Sequence, residues 1–518
     1  MKFNYKKFAL VSLAAASLFT AGCSKDYLET RPSNNISTED LVKNTTGLNT
    51  LLNGMHTLFT DPGAAFDGRA YDWGQKSVDM GFDLMGEDIV ATQSGYDWFT
   101  YHYQYVSTEA ANYWMPYHLW RFYYRMINNA NVILANVDNA IGTDSEKKNL
   151  RGQALAYRAF CYFKLVNAFS EHIQSPGGAQ AMGIPIYTKP TEGNTVFPGR
   201  GTVQNVYDLI FADLELAKEN FLTMGTLGRS NKSHINMDVV EGISARVYLT
   251  AGRYADANTA AENARAGYPL MSGADLLLGF NNSVNKEWMW ASNLTEEQAN
   301  ARGILSFMSW MDEETAGYAN VGAFRMISQT LYTLIDDNDI RKNQWTNDGK
   351  YHQMKFLVED KTGFNFKDLL MRSSEMYLIQ AEALARLNPT DATAMALLNE
   401  LMVIRNPSYD AATAIADRNV DNNVNTYAKR LLGMEKTDTW TLLEEVKLQR
   451  KIELWGEGFS YEHIRRYQKG LNRPRNYSAD HSTSNTNGVI KLAPNDKKFI
   501  FRIPQNEMDN NNNMIQNP

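Results

Sequence analysis

The stretch DVVEGISARVYLTAGRYADANTAAENARAGYP, residues 238–269, carries two helical patterns separated at Ala251-Gly252. Ala245 and Tyr248 share one face of the first run, and Tyr254, Ala257 and Ala264 share one face of the second. These are the spacings that return a side chain to the same side of an α-helix. Small residues there let two antiparallel backbones approach closely, and the tyrosines are long enough to fill the gap to a neighbouring pair. Two other regions read in the same way. Within Leu150–Ser170, Leu155, Ala159, Tyr162, Val166 and Phe169 are spaced by four and three. Thr202 then fits an N-cap for a helix carrying Val203, Tyr207, Ile210, Leu214 and Ala217. A last pair covers about 372–387 and 391–404, turned at Asn388-Pro389 and capped by Thr390.

Counted from Asp238, residues Ala245, Tyr248, Tyr254, Ala257, Ala264 and Pro269 resemble the small and aromatic positions of a tetratricopeptide repeat, with Glu241 where that repeat has tryptophan. The pairs at 150–222 and 372–404 fit more loosely, the first with a long insertion. Units of this kind need one another for burial, so they stack side by side. The expected fold is mainly α: a tetratricopeptide-like helical-repeat scaffold with long loops and a few short strands. Residues 270–365 leave the pattern, placing Trp288, Trp290, Trp310, Tyr318, Tyr332 and Trp345 among Gly, Asn and Asp. Trp288-Met-Trp290 predicts one short strand and Lys498–Ile503 another, stopped by Pro504. Segments 406–430 and 472–498, rich in Asn, Asp and Ser, predict surface loops.

At the N-terminus, Lys2, Lys6 and Lys7 precede an apolar run from Phe8 to Phe19, then Thr20-Ala-Gly-Cys23. A basic start, a short apolar run and small residues at a cut describe an export signal. The run is about twelve residues long, short of the roughly twenty that a membrane-spanning helix needs. Cys23 directly after Ala-Gly makes the segment resemble a bacterial lipoprotein signal, acylated at the Cys23 thiol and cleaved before it. Residues 1–22 are then a signal peptide. Residues 23–518 form a single domain, with an N-terminal part of about 23–230 and a helical-repeat and C-terminal part of about 231–518; no linker composition divides it. No later segment reaches spanning length, so lipid is the expected anchor, and several acyl chains hold where one holds marginally.

Two cysteines in 518 residues exclude a disulfide scaffold. Cys161 sits in an apolar helical stretch and reads as a buried thiol. The net charge of -7 becomes more negative without the lysine-bearing leader, which argues against nucleic acid as a partner.

Several further segments, in order, resemble the SusD/RagB family of cell-surface lipoproteins of Bacteroidetes-type bacteria. Cys23-Ser-Lys-Asp-Tyr-Leu-Glu resembles the family's mature start. Trp120, Tyr124, Ile127 and Asn131 follow its early helix motif. Arg151, Ala154, Ala159 and Tyr162, then Gly183-Ile-Pro-Ile186, follow the next helix and its exit loop. Arg372, Glu375, Ala381-Glu-Ala383, Asn399 and Arg405 resemble the repeat signature, and Gln449-Arg-Lys-Ile-Glu-Leu-Trp-Gly-Glu-Gly458 its ER..EL..EG motif. Ile503-Pro-Gln-Asn-Glu507 and Gln516-Asn-Pro518 resemble its ending. Ser460 and His463 depart from the arginine and aspartate that the family carries after EG. The resemblance implies a lipid-anchored protein on the outer face of the outer membrane. It further implies a lid over a SusC-like TonB-dependent transporter that captures oligosaccharide or polysaccharide for import. A branch of the family captures peptides instead.

Residues 96–124 concentrate aromatic side chains well above the chain's 12%. Rings stack on the C–H faces of sugars, and Tyr and Trp add a polar tip. Trp120, Tyr123, Tyr124 and Ile127 have helical spacing and read as core. Trp98, Tyr101 and Tyr103 alternate with polar residues, a pattern open to ligand contact or to packing. Trp73, Asp83 and Asp88 lie in an early polar, glycine-punctuated region where the same choice stands. Trp310 and Tyr318, beside Asp312-Glu-Glu314, occupy the position from which relatives present ligand-facing aromatics. The candidate glycan contacts are thus Trp73, Asp83, Trp98, Tyr101, Trp310 and Tyr318, with Cys23 as lipid attachment.

Catalytic and metal chemistry find little support. Arg450, Glu453 and Glu457 share a helix face and predict buried ion pairs rather than a glycosidase carboxylate pair. Asp336-Asp-Asn-Asp339 lacks the glycine and distal glutamate of an EF-hand loop. Eight histidines are scattered without zinc-ligand spacing, and no phosphate loop or nucleophile elbow is present, so no cofactor is implied. The expected role is a glycan-binding lid rather than an enzyme. A peptide-capturing lid, an exported glycoside hydrolase and a repeat adaptor without a small ligand stand as rivals.

Overall fold

The computed structural model describes residues 38–518 apart from 62, 64–69, 93–95, 226 and 362; Cys23 and the export segment lie outside them. Its helices and strands run in the order α1 (Thr45–Leu58), α2 (Gln75–Leu84), β1 (Ile89–Ala91), α3 (Trp114–Asn136), α4 (Asp144–Phe169), α5 (Val203–Thr223), α6 (Met237–Thr250), α7 (Tyr254–Arg265) and β2 (Trp288–Ala291). Then follow β3 (Arg325–Ile327), β4 (Leu369–Arg372), α8 (Ser373–Leu387), α9 (Ala392–Arg405), α10 (Leu442–Glu453) and α11 (Ser460–Tyr467), with shorter pieces between.

Each helix from α3 to α9 packs on the next, which is the side-by-side stack expected of the repeats. Every residue of α4 from Gly152 to Phe169 is buried, the mark of a central helix. Its Arg158 donates to both oxygens of Asp213 on α5 (2.8 and 2.7 Å) and to Asn131 on α3 (2.8 Å). One guanidinium therefore ties three helices. Ala257, Ala260, Ala261 and Ala264 give α7 a buried alanine face against α6 and α8. Tyr248 stacks on Phe211 of α5, centroids 5.6 Å apart, filling the gap between pairs as its position predicts. Arg246 on α6 and Glu375 on α8 form a two-pronged ion pair at 2.7 Å. Glu241, in place of the repeat's tryptophan, lies 3.4 Å from Lys218 on α5.

Thr202 caps α5 by accepting from the Asn205 N–H at 3.1 Å. The α9 cap is Asp391, which accepts from Ala394 N–H at 2.9 Å; Thr390 instead donates its hydroxyl to Asn388 in the turn. The strand at Trp288 is present as β2, antiparallel to β4, while β1 pairs with β3. Lys498–Ile503 is not a strand. Lys497–Phe499 is a 3₁₀ turn, Phe501 N–H bonds to Ala168 at the end of α4, and Ile503 N–H bonds to the Gln516 side chain. Helix ends and a side chain, rather than a strand edge, meet that backbone. Residues 406–430 are not simply loop either, since helices form at Ala411–Arg418 and Asn423–Leu431, each capped by an Asx side chain from the polar run. Cys161 is buried, and burial pushes its thiol well up.

The 449–458 motif builds a charged hub. Glu453 takes bonds from Arg372 (2.7 Å), Arg405 (2.8 Å) and Arg341 (3.1 Å), while Glu457 takes them from Arg372 and Lys355 at 2.7 Å. Burial alone raises the Glu453 carboxyl, but Arg405, Arg372 and Arg341 outweigh it and hold it well below the usual carboxylate range. Arg450 turns the other way, to His463 (2.8 Å) and toward Glu375 (3.7 Å). Ser460 donates to Asp88 at 2.6 Å, so both departures from the family pattern sit in bonded positions.

Candidate functional site

Beside the helical stack, a second apolar core forms under the 270–365 insertion, around Trp73, Phe99, Trp288, Trp310, Phe356 and Trp455. Its outer edge carries the aromatic cluster foreseen near residue 98. Arg325 on β3 is wholly buried and grips Asp97 with two nitrogens, at 2.8 and 3.0 Å. Asp97 also accepts from the Phe99 N–H at 3.0 Å. Phe99 points inward and meets Trp310 edge-on, centroids 5.0 Å apart. With Asp97 and Phe99 both anchored inside, the residues between and before them face out. Trp98 is 43% exposed and Tyr96 61%.

Tyr101, 39% exposed on the adjoining turn, meets Tyr113 edge-on at 5.4 Å. Beside it, Tyr71 stacks on Trp114 at 3.6 Å, and both rings remain partly exposed. Tyr318 lies flat on the buried Trp310, the partner of Phe99, with centroids 4.1 Å apart. Burial raises the Tyr318 hydroxyl above its ordinary range. The rim is polar: His352 meets Glu313 at 2.7 Å, and Asn320 donates to the Glu313 carbonyl. Thr92 joins Gly322 and Phe324 through its hydroxyl. The result is an open platform of rings on a rigid floor, rather than a closed cavity.

The six candidate contacts divide on exposure. Trp98 and Tyr101 are exposed, and Tyr318 is partly exposed. Trp310 and Trp73 are buried beneath, and both donate their indole N–H to the Ala70 carbonyl, at 3.3 and 3.0 Å. Direct stacking on a sugar is corrected for these two, because neither ring is open to solvent. Asp83 is buried as well. It accepts from the N–H groups of Gly458 (2.8 Å) and Ser460 (3.1 Å), an approach opened by Gly458 at φ +97°. Its expected ligand contact is corrected to a brace between α2 and the α10–α11 turn. Burial raises its carboxyl to about 7 despite those two bonds. Tyr103 is also inside, bonded to His481 at 2.5 Å.

Sequence reading missed the Tyr71–Trp114 stack and the Asp97–Arg325 clamp. The local signal for the clamp was an acid between rings, Tyr96-Asp97-Trp98-Phe99; its partner lies more than two hundred residues away and leaves no local trace. Among the described residues no cluster of His, Cys, Asp and Glu could hold a metal, and no helix is long and apolar enough to cross a membrane.

Comparison with known proteins agrees with this architecture. A family model described as "SusD family" matches residues 245–518, and one described as "Starch-binding associating with outer membrane" matches residues 26–249. The chain belongs to the SusD family. It is similar to a SusD-like carbohydrate binding protein from Bacteroides vulgatus, at 28% identity and a TM-score of 0.75, over 91% of this chain and 97% of the other. A SusD superfamily protein from Bacteroides thetaiotaomicron shares the fold at 21% identity and a TM-score of 0.70, over 92% and 100%. A laminarin binding SusD-like protein shares it at 19% identity and a TM-score of 0.64, over 92% and 99%. No curated protein matches the chain in sequence.

Proposed function

We propose that this protein is a glycan-capturing surface lipoprotein, tethered through Cys23 to the outer membrane, that acts as the lid of a SusC-like TonB-dependent transporter. The observation that carries the reading is the pairing of exposed Trp98 and Tyr101 on a floor fixed by Asp97, Arg325 and Trp310. Two exposed rings held rigidly lose little freedom when a sugar stacks on them, and pre-organisation of this kind favours affinity. Tyr318, partly exposed over Trp310, supplies a further ring. Family membership and the carbohydrate binding named for the Bacteroides vulgatus relative support the ligand class. Capture needs no chemical step, and a moving lid traps ligand held between two surfaces.

Calorimetry of the protein lacking residues 1–23 against neutral and acidic oligosaccharides, β-glucan fragments among them, tests the reading. A saccharide is expected to bind, and Trp98→Ala or Tyr101→Ala to weaken it roughly tenfold. Binding of peptide mixtures alone, or release of new reducing ends from a polysaccharide, overturns it.

A further inference from the structure

The proline-punctuated segment from Pro185 to Pro198 forms neither helix nor strand, yet side chains pin it near both ends. Asn131 on α3 donates to the carbonyls of Tyr187 (2.9 Å) and Lys189 (3.1 Å), and Asn128 accepts from the Thr191 N–H at 2.8 Å. The Tyr162 hydroxyl accepts from the Tyr187 N–H at 2.6 Å. Further along, Asn513 and Asn511 donate to the carbonyls of Phe197 (2.8 Å) and Pro198 (3.1 Å). A strap tied in this way holds the rings it carries, which reduces the freedom a ligand must freeze out. Between the strap, α3 and the C-terminal residues 504–510 lies a cleft of about 450 Å³. That is within the roughly 300–1,000 Å³ usual for small-ligand sites.

The strap and α3 both bring rings to this cleft. Tyr187 stands edge-on to Tyr124 at 5.6 Å, Tyr124 meets Trp120 at 4.8 Å, and Phe197 is 38% exposed. Hydrogen-bonding groups are left over as well. Among the described residues the Tyr187 hydroxyl and the Asn128 amide N–H groups have no bonding partner, and Asn506 and Asn510 add exposed amides. The charges cancel. Arg121 donates to the Tyr117 hydroxyl at 2.9 Å, while Glu507 accepts from Trp120 Nε1 (3.3 Å) and Asn511 Nδ2 (3.0 Å). Arg125 is already engaged, and its charge is coupled to that of Asp61. Rings, amides and a phenol without surplus charge suit a neutral sugar: ring faces take its C–H groups, and the amides and phenol exchange bonds with its hydroxyls. A purely apolar occupant would cover those polar groups and leave them unpaired.

We infer that the cleft between the 185–198 strap and α3 is a second saccharide site, separate from the Trp98–Tyr101 platform, and that it takes a neutral oligosaccharide. The inference rests on the proposed glycan-binding role and adds a site and a ligand class to it. Tyr113, which touches Tyr101, lies about 16 Å along α3 from Tyr124, so the two sites are distinct stations. Amide exchange and calorimetry with neutral hexasaccharides of the cello, xylo, malto and laminari series test it. At least one is expected to slow exchange in 185–198, with an affinity that holds as salt rises to about 0.5 M. Phe197→Ala with Tyr187→Phe is expected to weaken that site about tenfold and to leave protection of 96–101 in place; Trp98→Ala is expected to do the reverse. Phe197 is exposed and Tyr187→Phe keeps its ring, so the melting temperature is expected to hold, and the exchange pattern of the unaltered protein decides the matter in any case. Saccharide binding that never protects 185–198, or that Trp98→Ala abolishes altogether, overturns the second site and leaves the platform standing. Binding that protects 185–198 alone and ignores Trp98→Ala overturns the platform and leaves the cleft. Absence of binding to every saccharide overturns both.

Discussion

The rings of Trp310 and Tyr318 lie face to face, 4.1 Å apart and within 9° of parallel, yet Trp310 is fully buried while Tyr318 is partly exposed. One ring belongs to the core and the other to the surface above it, so their truncations should part company. Trp310→Ala leaves a cavity against Phe99 and Arg325 and is expected to cost about 3–5 kcal/mol of stability. Tyr318→Ala forfeits roughly 0.5–1.5 kcal/mol of ring contact and is expected to weaken saccharide binding with little change in melting. Urea unfolding beside calorimetry checks both; a Trp310→Ala protein of unchanged stability contradicts the floor assigned to it.

The Asp97–Arg325 clamp orients Trp98 from below. Asp97→Asn leaves the Arg325 guanidinium buried without its counter-charge, and breaking such a pair costs about 3–5 kcal/mol. The expected result is a destabilised protein in which the 96–101 turn is the first part to gain amide exchange. Equal protection of that turn in both proteins would remove the clamp from the account of the platform.

Glu453 balances Arg341, Arg372 and Arg405, none of which reaches solvent. Glu453→Gln removes the charge and keeps the shape. It is expected to abolish soluble folded protein or to lower stability by at least about 3 kcal/mol. Because the folded carboxyl is held well below its unfolded value, the stabilisation it brings is present above the unfolded pKa and is lost as pH falls through the folded one.

Acid should act on this fold mainly through histidines. Burial holds His102, His118, His172 and His481 near 3, aided by His118 at His102 and by neighbouring arginines at His172 and His481. Between about pH 6.5 and 3 the unfolded chain binds protons that the folded one refuses, so stability falls as pH drops through that window. Each histidine contributes up to about 1.4 kcal/mol per pH unit. Asp83, raised to about 7 by burial, works in the opposite sense, since the folded state holds its proton while the unfolded state ionises near 3.8. Stability from this group alone falls as pH rises from about 4 to 7. Urea midpoints from pH 4 to 7 are therefore expected to climb, and to climb more steeply in Asp83→Asn. A shallower climb in the variant contradicts the raised carboxyl.

The helical stack was legible because its signal is local: alanines and tyrosines at helical spacing in 238–269 placed α6 and α7 and pointed the tyrosines at the neighbouring pair, where Tyr248 meets Phe211. The outward turn of Trp98 was half legible from alternation, whereas the burial of Trp73, Asp83 and Trp310 was not. Those three are enclosed by residues far along the chain, and an aromatic or acid in a polar, glycine-punctuated stretch looks the same whether such a partner arrives or not. Thr390 and Asp391 differ by one position, and capping chemistry suits both. The Lys498–Ile503 run has strand-like composition, but the backbone beside it is a helix end.

The alanine face of α7 offers a test of the packing from which the fold was first read. Ala261 is wholly buried where α7 lies between α6 and α8, whereas Ala255 on the same helix is exposed. Leucine has nearly the helix propensity of alanine, so propensity alone predicts little change at either site. Ala261→Leu must push aside helices joined by the Arg246–Glu375 pair, an overpacking expected to cost about 1–3 kcal/mol, while Ala255→Leu stays within about 0.5 kcal/mol. Chemical unfolding of the two variants side by side decides it. If Ala261→Leu is as stable as Ala255→Leu, the two helices do not lie as close as their alanines allow, and the stack is held by its tyrosines and ion pairs instead.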